Sequence, residues 1–233
     1  MFISLEGPDG AGKSTQADLL IRALQKMGQD AVAVHEPGGT ALGDTIRAVL
    51  VRQSGPPIEP WAEAFLFASC RAQLVREVID PALRRGAVVV ADRFLDSTIA
   101  YQGAGRGLDI EALRQINEIA VGTTYPDLTV LLDLPAERGL ARLQASAPPP
   151  APSRRGGPWR EEAFIHDLQA PEGAWNRFED EAMAFHQRIR MAYLQLAEAD
   201  PGRWRVVDAS RPQGQVHAEI WERVRSGLAA AAS

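Results

Sequence analysis

GPDGAGKS, Gly7 to Ser14, fits the pattern G-x-x-x-x-G-K-[ST] and constrains the residues on both sides of it. Such a loop works between a strand that runs in and a helix that runs out. Its glycines let backbone N–H groups turn inward around phosphate oxygens, and the helix N-terminus adds its positive dipole end. The flanks comply. FISLE (Phe2–Glu6) is a short apolar run, and the segment Thr15–Met27 carries Leu19, Leu20, Ala23, Leu24 and Met27 on one helical face, with Gly28 at the expected C-terminal cap. The run Gly7, Pro8, Asp9, Gly10, Ala11, Gly12, Lys13, Ser14 and Thr15 is thus an ATP or GTP site. Lys13 would reach the β- and γ-phosphates and the Ser14 hydroxyl would sit on Mg2+.

Around this loop, short apolar runs alternate with amphipathic segments, the pattern of an α/β chain with a parallel sheet covered by helices. AVAV (Ala31–Val34), AVVVA (Ala87–Ala91), LTVLLDL (Leu128–Leu134) and WRVVD (Trp204–Asp208) join FISLE as buried strands. The predicted helices are Trp61–Arg85, Asp109–Val121, Pro135–Gln144 and Ala174–Ala199; Pro81 should break or kink the first. The last places Phe178, Ala182, Phe185, Ile189, Tyr193 and Leu196 on one core-facing stripe. PPPAPSRRGG (Pro148–Gly157) has the composition of a linker. The chain after it, however, offers one long helix, one strand and one terminal helix, a poor core on its own. The expectation is a single domain, 1–233, with residues 144–176 inserted in it. One cysteine, Cys70, excludes an intramolecular disulfide, and a formal charge of −5 argues against a nucleic-acid partner. The sequence has no apolar run of membrane-spanning length and no signal-peptide start, so the expectation is a cytoplasmic protein with no membrane partner.

Phosphate loops serve kinases, GTPases, motors and synthetases alike. The guanine-reading N-K-x-D of a GTPase is absent from the sequence. A second anion site is legible instead. Asp92-Arg93 follows the buried strand and so lies at the carboxyl edge of the sheet, where open α/β folds bind ligands. There a carboxylate can hold Mg2+ or its waters, and a guanidinium can fork onto a phosphate. Away from such an edge the same pair would read as a surface salt bridge.

GPDGAGKST, EPGGT (Glu36–Thr40), DRF (Asp92–Phe94) and DSTIAYQGAGRG (Asp96–Gly107), in that order, resemble the thymidylate kinase family, and the likeness resumes at NRFEDEAMAF and VVDASRP. The resemblance implies a P-loop kinase fold of three α/β/α layers with a five-stranded parallel sheet and a helical lid. It implies ATP-dependent phosphorylation of dTMP to dTDP, with Mg2+, in dTTP biosynthesis, by a homodimer to which Trp61–Arg85 contributes. Residue roles follow by the same resemblance. Asp9 meets the sugar 3′-hydroxyl, Arg47 and Arg93 hold the 5′-phosphate, and Glu36 opens the acceptor-side segment. Phe67 stacks on thymine and Arg71 bonds its carbonyl; four residues apart, they share a helix face. Phe65 is expected in the core. Ser97, Thr98, Tyr101 and Gln102 read the base and crowd the 2′ position, while the glycines of QGAGRG belong to the acceptor wall or to a plain flexible loop. Arg142 and the loop Asp208–Arg211, with Ser210, flank the donor adenine.

Relatives with arginine in the P-loop use it in the transition state, and those with glycine there supply an arginine from the lid. Gly10 and Ala11 put this chain in the second group, with Arg177, Arg154, Arg155 and Arg160 as candidates and Arg177 first among them because it lies in a matching motif. The expected catalytic set is Lys13, Asp92, Arg93 and these lid arginines, with Ser14 and Asp92 on the metal. The span from Arg142 to Arg177 is longer than the lid of typical relatives; His35 and Asn176 stand where many relatives have arginine and aspartate. Two alternatives stay open: a kinase for another nucleoside monophosphate or deoxynucleoside, and a non-catalytic nucleotide-binding relative.

Overall fold

A computed structural model of the chain describes residues 1–51, 57–146 and 177–231. Strands β1 (Phe2–Glu6), β2 (Ala31–His35), β3 (Val88–Asp92), β4 (Leu128–Asp133) and β5 (Trp204–Asp208) form one parallel sheet in the order β2-β3-β1-β4-β5. Each lies within one residue of its expected bounds. Helices α1 (Lys13–Lys26), α2 (Ala41–Val51), α3 (Pro60–Leu74), α4 (Asp80–Arg84), α5 (Leu95–Thr98), α6 (Ile110–Val121), α7 (Ala136–Ser146), α8 (Met183–Ala199) and α9 (Gln213–Ala231) cover its two faces.

A parallel strand covered on both faces needs apolar residues of both parities. Ile3 and Leu5 of β1, Val88 and Val90 of β3, and Val130 and Leu132 of β4 pack against Leu20 and Leu24 of α1 and Val216, Ile220 and Val224 of α9. On the other face Phe2, Val89 and Ala91 meet Leu74, Val75, Ile79 and Phe94. Leu131 and Trp204 extend that face toward Tyr101, Phe185, Ile189 and Tyr193. β5 pairs with β4, Leu131 opposite Val206, so the chain before and after residues 147–176 builds one sheet. Arg154, Arg155, Arg160 and most of the expected 144–176 insertion lie outside the described residues; residues 144–146 complete α7.

Several local expectations change. The break or kink expected at Pro81 takes the form of a wide turn just before it, which separates α3 from α4. The wide turn over Val75–Ile79 lets the Asp80 N–H bond the Val75 carbonyl five residues back, so the proline enters at the first turn of α4, where a missing N–H is tolerated. α8 starts at Met183 rather than near Ala174: residues 177–180 form a turn, and Ala182 is an exposed, extended N-cap. Phe178 is buried from that turn, not from the helix. Met27 caps α1 and is 52% exposed instead of joining the core stripe. Phe65, expected inside, is 55% exposed, because α3 turns Ala64, Ala68 and Arg71 inward and leaves Phe65 beside Trp61 on the outer side. Of QGAGRG (Gln102–Gly107), expected as acceptor wall or flexible loop, residues 102–105 belong to a wide helical turn, Ile99–Gly105, with Tyr101 and Gln102 buried.

Ile220 is fully buried between α9 and the sheet. Ile220→Ala should lower unfolding stability by about 2–5 kcal/mol in urea titration, with turnover below the transition near wild type, since the change leaves the carboxyl edge intact.

Candidate active site

The parallel register brings the carboxyl ends of the strands to one edge: Leu5 lies opposite Asp92, Glu6 opposite Leu131, and Asp133 opposite Asp208. The phosphate loop rises from this edge. Gly10 has φ 73, and a Cβ there would lie 2.1 Å from the Gly139 carbonyl oxygen, so the start of α7 packs directly on the loop. No side chain fits at position 10 without moving α7, which is a steric reason why this loop carries no arginine there. Lys13 is buried and donates to the carbonyls of Gly7 at 3.0 Å and Pro8 at 2.8 Å. Burial, then the Arg93 cation, pushes its ammonium down to about 8. Bound phosphates would act in the opposite sense.

The Ser14 hydroxyl donates to Asp92 Oδ2 at 2.5 Å, so the two residues expected at a metal are in contact. Both offer hard oxygen donors, which suit Mg2+ completed by phosphate and water oxygens. Among the described residues no cluster of three His, Cys, Asp or Glu forms a protein-only metal cage. Cys70 is buried, and burial pushes its thiol up to about 11, so it is no nucleophile at neutral pH.

Arg93 leaves β3 in a left-handed conformation, φ 70. Its guanidinium pairs with Asp9, donates to Tyr101 Oη at 2.9 Å and to the Gly7 carbonyl at 3.1 Å, and lies 4.8 Å from the Tyr101 ring centroid. The Tyr101 hydroxyl donates to Asp9 Oδ2 at 2.8 Å. Burial pushes the Asp9 carboxyl up, but Arg93 and then Lys13 hold it below the usual aspartate range. Burial keeps the Tyr101 phenol protonated. Asp9, Arg93, Tyr101 and Ser97, whose Oγ is 3.3 Å from Arg93 Nη1, thus form one network on the wall of the phosphate loop.

The remaining expected residues divide. Arg71 is 1% exposed, with its guanidinium forked onto Glu36 at 2.6–3.1 Å and bonded to Asn117 Oδ1 at 2.6 Å. Glu36 and Arg71 are therefore partners. Phe67 is half-buried, 6.1 Å from the ring of Phe178, and Thr98 is buried with its hydroxyl unpartnered among the described residues. Arg47 donates to the Pro37 carbonyl at 2.9 Å. Arg142 spans from the Gly10 carbonyl, 3.4 Å, to that of Ala209, 3.0 Å, joining the phosphate loop to the segment that holds Ser210. Arg177 is not on the phosphate loop: it donates to the Leu50 carbonyl and pairs with Glu63.

Sequence reading missed Glu63 and Glu6. Glu63 is buried and accepts from Gln102 Nε2 at 2.7 Å, from Arg106 and from Arg177. A carboxylate among the apolar residues of an inward helix face was the available signal. Glu6, equally buried, was hidden inside a run read only as a strand.

The arrangement can hold a triphosphate on the loop and a second anion against Arg93. The thymidylate kinase family model matches residues 5–153. The thymidylate kinase of Thermomicrobium roseum is 45% identical over 223 residues, 96% of this chain and 93% of that one. That of Nitratidesulfovibrio vulgaris is 44% identical over 232 residues, 100% and 99% of the two chains. The crystal structure of the Ehrlichia chaffeensis thymidylate kinase superposes with a TM-score of 0.70 at 27% identity, covering 96% of this chain and 98% of that one. Gly10→Ala should cost more than about 1 kcal/mol in urea titration and weaken ATP binding, because a left-handed backbone and the Gly139 carbonyl both oppose a Cβ.

Proposed function

The chain belongs to the thymidylate kinase family, and on that premise we propose that it joins ATP to dTMP across the cleft between the phosphate loop and the Asp9–Arg93–Tyr101 network. The reaction converts dTMP to dTDP. An oxygen of the dTMP phosphate attacks the γ-phosphorus, the bond from that phosphorus to the β–γ bridging oxygen breaks, and dTDP and ADP leave. The attacking group is already an anion, so no general base is required; the work is alignment and charge neutralisation.

Lys13 exchanges the Gly7 and Pro8 carbonyls for the β- and γ-phosphates. Ser14 and Asp92 would hold Mg2+, which supplies positive charge against the phosphates when bound. Arg93 receives the acceptor phosphate with Arg47, and Asp9 meets the 3′-hydroxyl. Phe67 stacks on thymine, Thr98 offers its hydroxyl to the base, and the Arg71–Glu36 pair backs that pocket. Tyr101 and Gln102 bound the sugar side. Arg142 and Ser210 flank adenine. The observation that carries this reading is the packing of Asp9, Arg93 and Tyr101 into one network beside a complete phosphate loop.

A homodimer through α3 and α6 suits the apolar surface these neighbouring helices present: Trp61, Phe65 and Ile119, the last 83% exposed. Among the described residues no helix is long and apolar enough to cross a membrane, in keeping with a cytoplasmic role in dTTP biosynthesis.

An ADP-release assay with dTMP, dUMP, CMP and AMP should rank dTMP first; equal rates with CMP or AMP would overturn the reading. Lys13→Ala should remove turnover while leaving the unfolding midpoint near wild type. For the transition-state arginine, the bonds of Arg177 to Glu63 and Leu50 favour an anchoring role. Arg154→Ala/Arg155→Ala should therefore lower kcat by about 10³-fold or more. If Arg177→Ala alone does so, Arg177 leaves Glu63 during turnover.

A further inference from the structure

The turn that carries Arg93 rests on a carboxylate with no assigned part in the reaction. Arg93 is, among the described residues, the one non-glycine residue with positive φ. Such a backbone persists where its surroundings over-determine it. Two bonds do so here: the Arg93 N–H donates to the Leu5 carbonyl at 3.0 Å, and the Phe94 N–H donates to Glu6 Oε1 at 2.8 Å. Glu6 Oε1 also accepts from Ser4 Oγ at 3.1 Å, and Oε2 from Ser97 Oγ at 2.7 Å and Tyr193 Oη at 3.0 Å. These two hydroxyls, 2.7 Å apart, each lie 3.3 Å from Arg93 Nη1. One buried carboxylate thus bonds the backbone after Arg93 and the hydroxyl pair that supports its guanidinium.

We propose that Glu6 is a positioning residue for phosphoryl transfer: through the Phe94 N–H and the Ser97 and Tyr193 hydroxyls, it sets where the Arg93 guanidinium meets the acceptor phosphate. The proposal rests on the assignment of Arg93 to that phosphate. An ionised carboxylate has about four acceptor positions for its four surrounding donors. A protonated one loses an acceptor position and must donate, which reverses a bond to Ser97 or Tyr193.

The charged and titratable groups facing Glu6 are Asp96 and Arg93 on the segment after β3, Lys13 on α1 and Tyr193 on α8. Burial, then Asp96, pushes the Glu6 carboxyl up to about 7, against the pull of Ser97, Arg93 and the Phe94 N–H. The positioning state is therefore filled as pH rises through 7 and emptied below it. The dTMP phosphate itself titrates near pH 6, so a wild-type pH limb alone decides nothing.

The test compares wild type with Glu6→Gln, which is isosteric and permanently neutral. Expected is a loss of about 10- to 100-fold in kcat/KM for dTMP above pH 7.5, with the KM for ATP within about twofold of wild type. The variant should also lack a pH limb near 7 that wild type shows. Tyr193→Phe, a smaller change, should lower kcat/KM for dTMP in the same direction and guards against a Glu6 variant that fails to fold. In wild type, 13C carboxyl NMR should give Glu6 an apparent pKa near 7. Wild-type kcat/KM in folded Glu6→Gln, or the same limb in both proteins, overturns the positioning role while leaving dTMP kinase activity standing. Failure of dTMP in the acceptor screen overturns the underlying assignment instead.

Discussion

A guanidinium held between two chain segments organises this molecule. Arg93 leaves the end of β3, and its partners Asp9 and the Gly7 carbonyl belong to the phosphate loop that leaves β1. The two strands are neighbours in the sheet, so a one-residue slip in their register, about 3.3 Å, would separate these groups. A parallel sheet buried on both faces tolerates little slip, because each face meets its own helices. The apolar register therefore fixes the distance between the phosphate loop and the Arg93 guanidinium. In-line transfer depends on that distance.

The same logic explains the buried carboxylates. Glu6, Glu36 and Glu63 sit at or near full burial, where an isolated charge would be untenable, and each is surrounded by donors. Glu36 takes the Arg71 fork, Glu63 takes Arg106, Arg177 and Gln102, and Glu6 takes a backbone N–H with three hydroxyls. Each joins segments distant in sequence that apolar contacts alone would leave free to slide. Directional bonds at these points hold the joined segments in place, and removing Arg71 would leave the buried Glu36 carboxylate without its charged partner.

Local pattern made much of this readable. The phosphate loop, the five strands and the Asp92-Arg93 edge follow from apolar runs, glycine spacing and the rule that ligands meet strand ends. Strand order and carboxylate partners do not, because they are set by contacts between residues about 30 to 190 apart in sequence, such as Arg71 with Glu36 and Tyr193 with Glu6. Phe65 misled because its apolarity said nothing about helix phase, and the small residues Ala64 and Ala68 take the inward face. The start of α8 misled because period-3.6 spacing continues into the turn at Phe178, which is buried without being helical.

Arg177 shows how far a motif match can carry a residue role. Its motif ranks it first for the transition state, yet its guanidinium is committed to the Leu50 carbonyl and to Glu63, whose side chain is 1% exposed. Breaking a buried pair by withdrawing one partner costs about 3–5 kcal/mol. An arginine at the moving phosphoryl returns about 10³–10⁵ in rate, or roughly 4–7 kcal/mol. The two magnitudes overlap, so moving Arg177 would offset a substantial part of what it could contribute. Arg106 shares Glu63 and would offset part of the loss by remaining there, without removing it. An arginine that starts in water has no such cost. The energetics thus favour Arg177 as the anchor that ties the turn before α8 to α3.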